Sequence, residues 1–259
     1  MRMSALILAC LFCVPVSGFA QSGPFNTPWD GLGFIELSGG AQGGSHLLTE
    51  TTTFTLYDEQ ASIVAAQNYG GGPLVGVGAG VKVWKNLLVG ATFTRTRDTM
   101  DTVLTGRIPN PLFVNQFRDA EFRDGSLRHV ERVVHVSATW MLPLREDLAL
   151  GVSFGPSFAS VSHEFARDVR ITETAGPPLF QAATISDPAF VRNSGSGTTV
   201  HVGANLAYDL PFRLGRTGRV GASLGFRYFT GEVSMAGAAG TVDVKYGGPQ
   251  VTGGVRVGF

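Results

Sequence analysis

Cysteine is almost missing from this 259-residue chain: only Cys10 and Cys13 occur, both inside an N-terminal stretch that reads as a secretory leader. Once that leader is removed no thiol remains, which excludes disulfides and cysteine chemistry from the finished protein. An excess of charge of either sign is missing too. Lys plus Arg and Asp plus Glu number 20 each, so no electrostatic footprint points toward nucleic acid. Long apolar runs are also lacking. After residue 20, Gly, Thr, Ser and charged residues interrupt every stretch before it reaches the roughly 18 residues that a membrane helix requires.

Glycine is what the chain has in abundance: its 35 residues are about twice the average usage of roughly 7%, a composition of strands and turns. Residues 1–20 carry Arg2, an apolar stretch over 5–16 and a small-x-small site at Gly18-Phe19-Ala20, which predicts a signal peptide cleaved near Ala20. A looser lipoprotein-like box ends at Cys10, but the apolar run before it is too short for a signal core. The predicted layout is a signal peptide over 1–20, a periplasmic lead-in over 21–30 and a single domain over 31–259.

Within that domain eight segments alternate with period two. "GFIELSGGAQ" puts Ile35 and Leu37 on one face, and "LVGVGAGVKVW" and "LLVGATFTR" follow as a hairpin around Lys85-Asn86. "VERVVHVSATW" and "LALGVSFGPSF" form the next pair, then "VHVGANLAYDL", "VGASLGFRYF" and "VTGGVRVGF". In each, one face is Val, Leu, Phe or Ala and the other is mostly Gly, Ser and Thr. Such small residues cannot fill a soluble core, so the apolar face is expected to point outward, toward lipid. Hydrocarbon offers backbone groups no hydrogen bonds, and strands can cross it only as a closed cylinder. The expected fold is therefore all-β, a closed antiparallel eight-stranded transmembrane β-barrel.

Connection lengths agree. Joins near 85–86, 142–147 and 211–218 are short, whereas those near 43–73, 97–128 and 163–197 are long, matching periplasmic turns and extracellular loops. Trp84 and Trp140 fall at inner strand ends and Tyr228 near an outer end, where aromatic girdles belong. In the first long connection, "TTTFTLYDEQASIVAAQ" has the makings of a hairpin. It is either an extension of the wall or an added pair making ten strands; Thr51 to Tyr57 is short for a crossing, which favours the extension.

The chain's last residues, "GGVRVGF", alternate to a final aromatic. Val255, Val257 and Phe259 resemble the C-terminal signal of bacterial outer-membrane barrels, which implies the barrel-assembly machinery as a partner during insertion. With the leader and eight strands, the chain resembles the OmpA/OmpX-type small barrels, and "GGGPLVGVGAGVKVWKNLLVG" and "GGPQVTGGVRVGF" are similar to an uncharacterised porin-like outer-membrane β-barrel group. The resemblance implies residence in the outer membrane, contact with its lipid and lipopolysaccharide, and no peptidoglycan-binding domain after Phe259. It carries no residue-level activity.

Inward charges in such a barrel must be paired. Glu36 on the first strand and Arg256 on the last become neighbours on closure, with Lys82 at a similar level and Arg227, His201, Asn205 and Asp209 extending the lining. The expected lumen cluster is Glu36, Lys82, Arg256 and Arg227, either a structural ion pair or the gate of a narrow pore. His135-Val136-Ser137 resembles part of the catalytic arrangement of outer-membrane lipid A 3-O-deacylases. Ala138-Thr139 replaces that family's Asn-Ala, however, no well-placed acid follows, and the parity turns both residues into the lumen; they read as lining. His163-Glu164 lacks a second His at metalloprotease spacing, and Gly76, Gly78 and Gly80 lie within a strand rather than opening a helix. No catalytic residue, cofactor or metal ligand is therefore assigned. The segment from Arg97 to Arg128 holds five Arg and five acidic residues, a set suited to phosphate or simply to solvent. The expected role is structural or surface binding through long extracellular loops, with a small diffusion pore as the alternative and a lipid A-modifying hydrolase as a remote one.

Overall fold

The computed structural model describes residues 31–173, 180–214 and 218–259; the predicted leader and lead-in lie outside them. Ten antiparallel strands follow in sequence: β1 (Gly33–Gln42), β2 (His46–Leu56), β3 (Glu59–Tyr69), β4 (Gly72–Trp84), β5 (Leu87–Pro109), β6 (Phe117–Pro143), β7 (Leu148–Glu173), β8 (Ala183–Leu214), β9 (Gly218–Ala236) and β10 (Thr241–Gly258). The sheet order β2-β3-β5-β4-β1-β10-β9-β8-β7-β6 is closed by pairing of β5 with β6. Eight strands therefore make a ring, and β2–β3 stands outside it. First and last strands meet as expected, with Glu36 opposite Arg256 and Leu37 opposite Val255.

The predicted parity holds around the ring. Ile35, Leu37, Val75, Val77, Val89, Phe93, Val134, Val152, Phe154, Val202, Phe226, Val251 and Val255 are all exposed, while their sequence neighbours line the interior. Trp84 and Trp140 meet edge to face at 6.3 Å on the outer wall, at the end where the Lys85-Asn86 turn lies. A closed ring that is apolar outside and polar inside is the form of a bacterial outer-membrane barrel, and the outer membrane is where this chain resides.

Among the described residues, the three long connections are mostly strand, not loop. β5, β6, β7 and β8 are 23, 27, 26 and 32 residues long, whereas a crossing needs only about 9 to 11. At about 3.3 Å per residue, β8 follows a path of roughly 100 Å, so the wall continues far above the membrane. Above Phe93 the polar alternation simply persists: "TRTRDTMDTV" has the same period as the lipid-facing stretch but exposes Arg and Asp instead of Val. The strand runs on, and only its solvent changes.

β1 and β4 stop where the crossing ends, and the β2–β3 hairpin replaces them. β3 pairs with β5 from Asn68↔Asp101 to Ser62↔Arg107, directly above the β4–β5 pairing that ends at Leu74↔Thr96. The hairpin is thus the wall extension and not a membrane pair. Its two-residue turn places both Tyr57 (φ 54°) and Asp58 (φ 61°) in the left-handed region, as a tight turn matched to strand twist requires.

Candidate functional site

From the periplasmic side upward, the lumen is a stack of layers. An open vestibule of about 1110 Å³, lined in part by Arg145, Asp147, Arg213 and Phe259, leads to the Arg256 guanidinium. Arg256 donates to Glu36 Oε2 from Nε (3.0 Å) and Nη2 (2.6 Å), and to Asn205 Oδ1 at 2.8 Å. The guanidinium also lies 4.0 Å over the Phe34 ring. The two partners lie on adjacent strands in direct register, which is why a separation of 220 residues becomes contact. Above them is a cavity of about 80 Å³ lined by Arg227, Ser38, Thr92, Ser137, Ser153 and Thr252, among others. Glu36, Arg256 and Arg227 are thus brought to one site. Lys82 stands in register with Leu88 near the periplasmic ends of β4 and β5.

The next layer is built on His135. Its Nδ1 lies 2.7 Å from Ser157 Oγ, which lies 2.9 Å from His201 Nδ1, and its Nε2 is 3.2 Å from Thr94 Oγ1. Ser137, the serine nearest in sequence, lines the cavity below instead. The cross-strand register places Ser157 opposite His135, and register rather than sequence spacing selects the partner. Among the described residues the hydrogen bonds of this layer include no carboxylate, so nothing orients an imidazole as an acid would in a triad.

A third layer lies at the outer rim of the apolar band. Glu131 accepts from Gln42 Nε2 (3.0 Å), from the Gly247 N–H (3.1 Å) and from His129 Nε2 (3.0 Å). His129 Nδ1 meets His163 Nδ1 at 3.0 Å, and His163 Nε2 meets Gln67 Oε1 at 3.1 Å. The Gln67 amide donates to the Glu164 carbonyl at 3.0 Å, which fixes its oxygen as the acceptor toward His163. His163 Nε2 must then donate, leaving its Nδ1 to accept from His129 Nδ1. Tyr69 packs on both rings, 4.7 Å from His129 and 4.8 Å from His163.

Two apolar clusters pack around and over this network, the first reaching down to Phe229 against the His135 ring. Met100, Leu127, Val161, Phe165, Val244 and Tyr246 belong to the first, and Leu104, Ile108, Ala166 and Ile185 to the second. At the outer end the strand tips are tied together: the Tyr57 hydroxyl donates to Glu173 Oε2 (2.9 Å), the Asn115 N–H donates to Glu59 Oε1 (2.6 Å), and Arg118 pairs with Glu173. This rim holds up Leu112, Phe113 and Val114, which are 52%, 54% and 78% exposed.

Period-two alternation in the sequence points to the Glu36–Arg256 pair and to the inward His135 and His201. It does not reveal the Glu131–His129–His163–Gln67 line, whose members stand on β6, β7 and β3 where loops were expected. The signal was present in "LRHVERVVH", in which His129, Glu131 and His135 share one parity.

No protein-family model matches the chain, and no curated protein does. Solved structures do. Neisserial surface protein A is similar over 88% of this chain and 97% of its own, at 11% identity and a TM-score of 0.37. The outer membrane protein OprG from Pseudomonas aeruginosa covers 88% and 97% at 7% identity and 0.38. The outer membrane protease OmpT from Escherichia coli covers 90% and 98% at 11% identity and 0.41.

Two predictions rest on the network. Glu36→Gln strands the Arg256 cation in a site where both partners are largely buried, at 8% and 14% side-chain exposure. The melting temperature in detergent should fall, by the equivalent of roughly 2 to 3 kcal/mol, a little under the cost of breaking a fully buried pair; an unchanged melt would remove the pair from the set of stabilising contacts. His163 lies five residues above the last lipid-facing residue of β7, Phe158. Burial, with the facing His129, pushes its imidazole down from the ordinary 6.5 to about 3. Because the folded value is depressed, folding favours the neutral ring. That contribution is whole above about pH 6.5 and is lost as pH falls from there toward 3. Imidazole ¹⁵N shifts should show His163 still neutral at pH 5, and a midpoint near 6.5 would contradict the arrangement.

Proposed function

We propose that this chain is a non-catalytic surface protein of the outer membrane. It is a closed barrel that holds an apolar-tipped rim well above the lipid and binds an extracellular partner there. The observation that carries this is the plug. The lumen is occupied in sequence by an ion pair, a His–Ser–His layer, a Glu–His–His–Gln line and two apolar clusters. Passage of a solute would require every layer to part, whereas the rim is built outward and braced. The network's side chains hydrogen-bond one another and face no open cleft, which supports a structural role for the buried histidines.

One observation favours the small diffusion pore as a second reading. The Glu36–Arg256 pair separates the periplasmic vestibule from the internal cavity, the position a gate would take. Conductance decides between them: in planar bilayers the protein should give no stepwise channels, and defined, reproducible steps would replace the surface-binding reading with the pore. The rim has its own test. Cells displaying the protein should adhere to hexadecane droplets more than cells displaying Leu112→Ser/Phe113→Ser/Val114→Ser at equal surface level. Equal adhesion would show that the tip is not a working apolar contact.

A further inference from the structure

On the outer wall of β5, the series of outward side chains runs Val89, Ala91, Phe93, Arg95, Arg97; on β6 it runs Val136, Val134, Arg132, Val130, Arg128. The two series are in register, with Phe93 opposite Val134, Arg95 opposite Arg132 and Arg97 opposite Val130. Four arginines, all exposed, therefore stand on two adjacent strands immediately above the apolar band. The first outward position above the band is neutral on β7 to β10, at Ser160, Thr198, Thr230 and Pro249, while higher up Glu164 follows on β7 and Glu232 on β9.

This arrangement is unfavourable on its own. Side chains directly opposite across an antiparallel pair have Cβ atoms about 5 Å apart, and like charges there destabilise the sheet. Among the described residues no carboxylate forms an ion pair with any of the four. Glu164 accepts the backbone N–H of Arg128 on Oε2 and pairs through Oε1 with Arg192, and Asp98 turns away to the Gly70 and Gly71 N–H groups. Asp101, further up β5, is exposed and forms no ion pair with any of the four.

We propose that Arg95, Arg97, Arg132 and Arg128 form a binding site for the phosphorylated glycolipid of the outer leaflet. Arginine grips phosphate through parallel N–H donors, and two opposed guanidiniums supply donors for one phosphate that would also cancel their repulsion. The occupant must be an amphiphile, because the patch continues without a break into Phe93, Val75 and Val134, all exposed. Acyl chains lie against those side chains while the headgroup phosphates meet the arginines. Free phosphate would use only the upper half of the site, and an acidic peptide or a nucleic acid would leave the apolar half bare. The site lies on the wall and not on the rim, so it is independent of the surface-binding reading.

Native mass spectrometry of the detergent-purified full chain, titrated with bis-phosphorylated lipid A, tests the assignment. Wild type should bind it, and Arg95→Gln/Arg132→Gln should weaken binding about tenfold, the loss of one or two charge-assisted hydrogen bonds. Dephosphorylated lipid A should bind wild type as weakly as the variant binds the phosphorylated form. Heat-modifiable gel mobility reports whether the variant folds. If it does not, Arg95→Lys and Arg132→Lys keep the charge but lose the paired donors, and each should bind more weakly than wild type. Equal binding by a folded variant overturns the site, as does equal binding of the dephosphorylated lipid or a tighter complex with inorganic phosphate, an acidic peptide or a short RNA.

Discussion

The constraint from which this structure follows is that hydrocarbon cannot hydrogen-bond a backbone amide. A strand in lipid is tolerated only when both edges are paired, so the sheet must close. Closure joins the first strand to the last and sets Glu36 beside Arg256. It also divides every strand into a lipid face and a lumen face. In so narrow a ring the lumen has no room for water in bulk, and each polar group placed there must find a protein partner.

The lumen meets most of that requirement in two ways along its length, leaving among others His201 Nε2 and Arg227 Nε without a partner. Within the crossing, small residues and the Glu36–Arg256–Asn205 group surround a cavity of about 80 Å³. At the outer rim of the apolar band, three donors converge on the Glu131 carboxylate, and the line from it through His129 and His163 ends on an amide that is itself oriented by a carbonyl. Beyond the membrane the same inward parity becomes apolar, as Met100, Leu104, Ile108, Val161 and Phe165 show. The burial logic thus inverts along one strand: polar inside where lipid is outside, apolar inside where water is outside.

This inversion explains what could and could not be read from the residues. The eight crossings were legible because their alternation is uniform and bounded by turns, and because Gly, Ser and Thr mostly oppose Val and Phe. The ion pair was legible because closure alone makes its partners neighbours. The extramembrane wall was not, since stretches such as "TRTRDTMDTVLTG" alternate polar residues with mixed ones and lose the contrast that marks a lipid-facing strand. The partner of His135 was also illegible, because Ser157 lies 22 residues away and only the register of β6 with β7 makes it nearer than Ser137. Sequence parity tells which way a side chain points; it does not tell what stands opposite.

The boundary between the two regimes is where charge collects on the outer surface. Below it the outward positions must be apolar, and above it they are free to be anything soluble. A neutral hydroxyl satisfies that condition on β7, β8 and β9. On β5 and β6 arginine occupies the level instead, Arg95 directly opposite Arg132, with Arg97 and Arg128 further up the same strands. Solubility does not require this and sheet stability opposes it, which is the ground for proposing a bound anionic group from outside the chain. The only surroundings in contact with both that level and the apolar band beneath it are the headgroups of the outer leaflet, whose anionic groups lie at the height where the guanidiniums emerge.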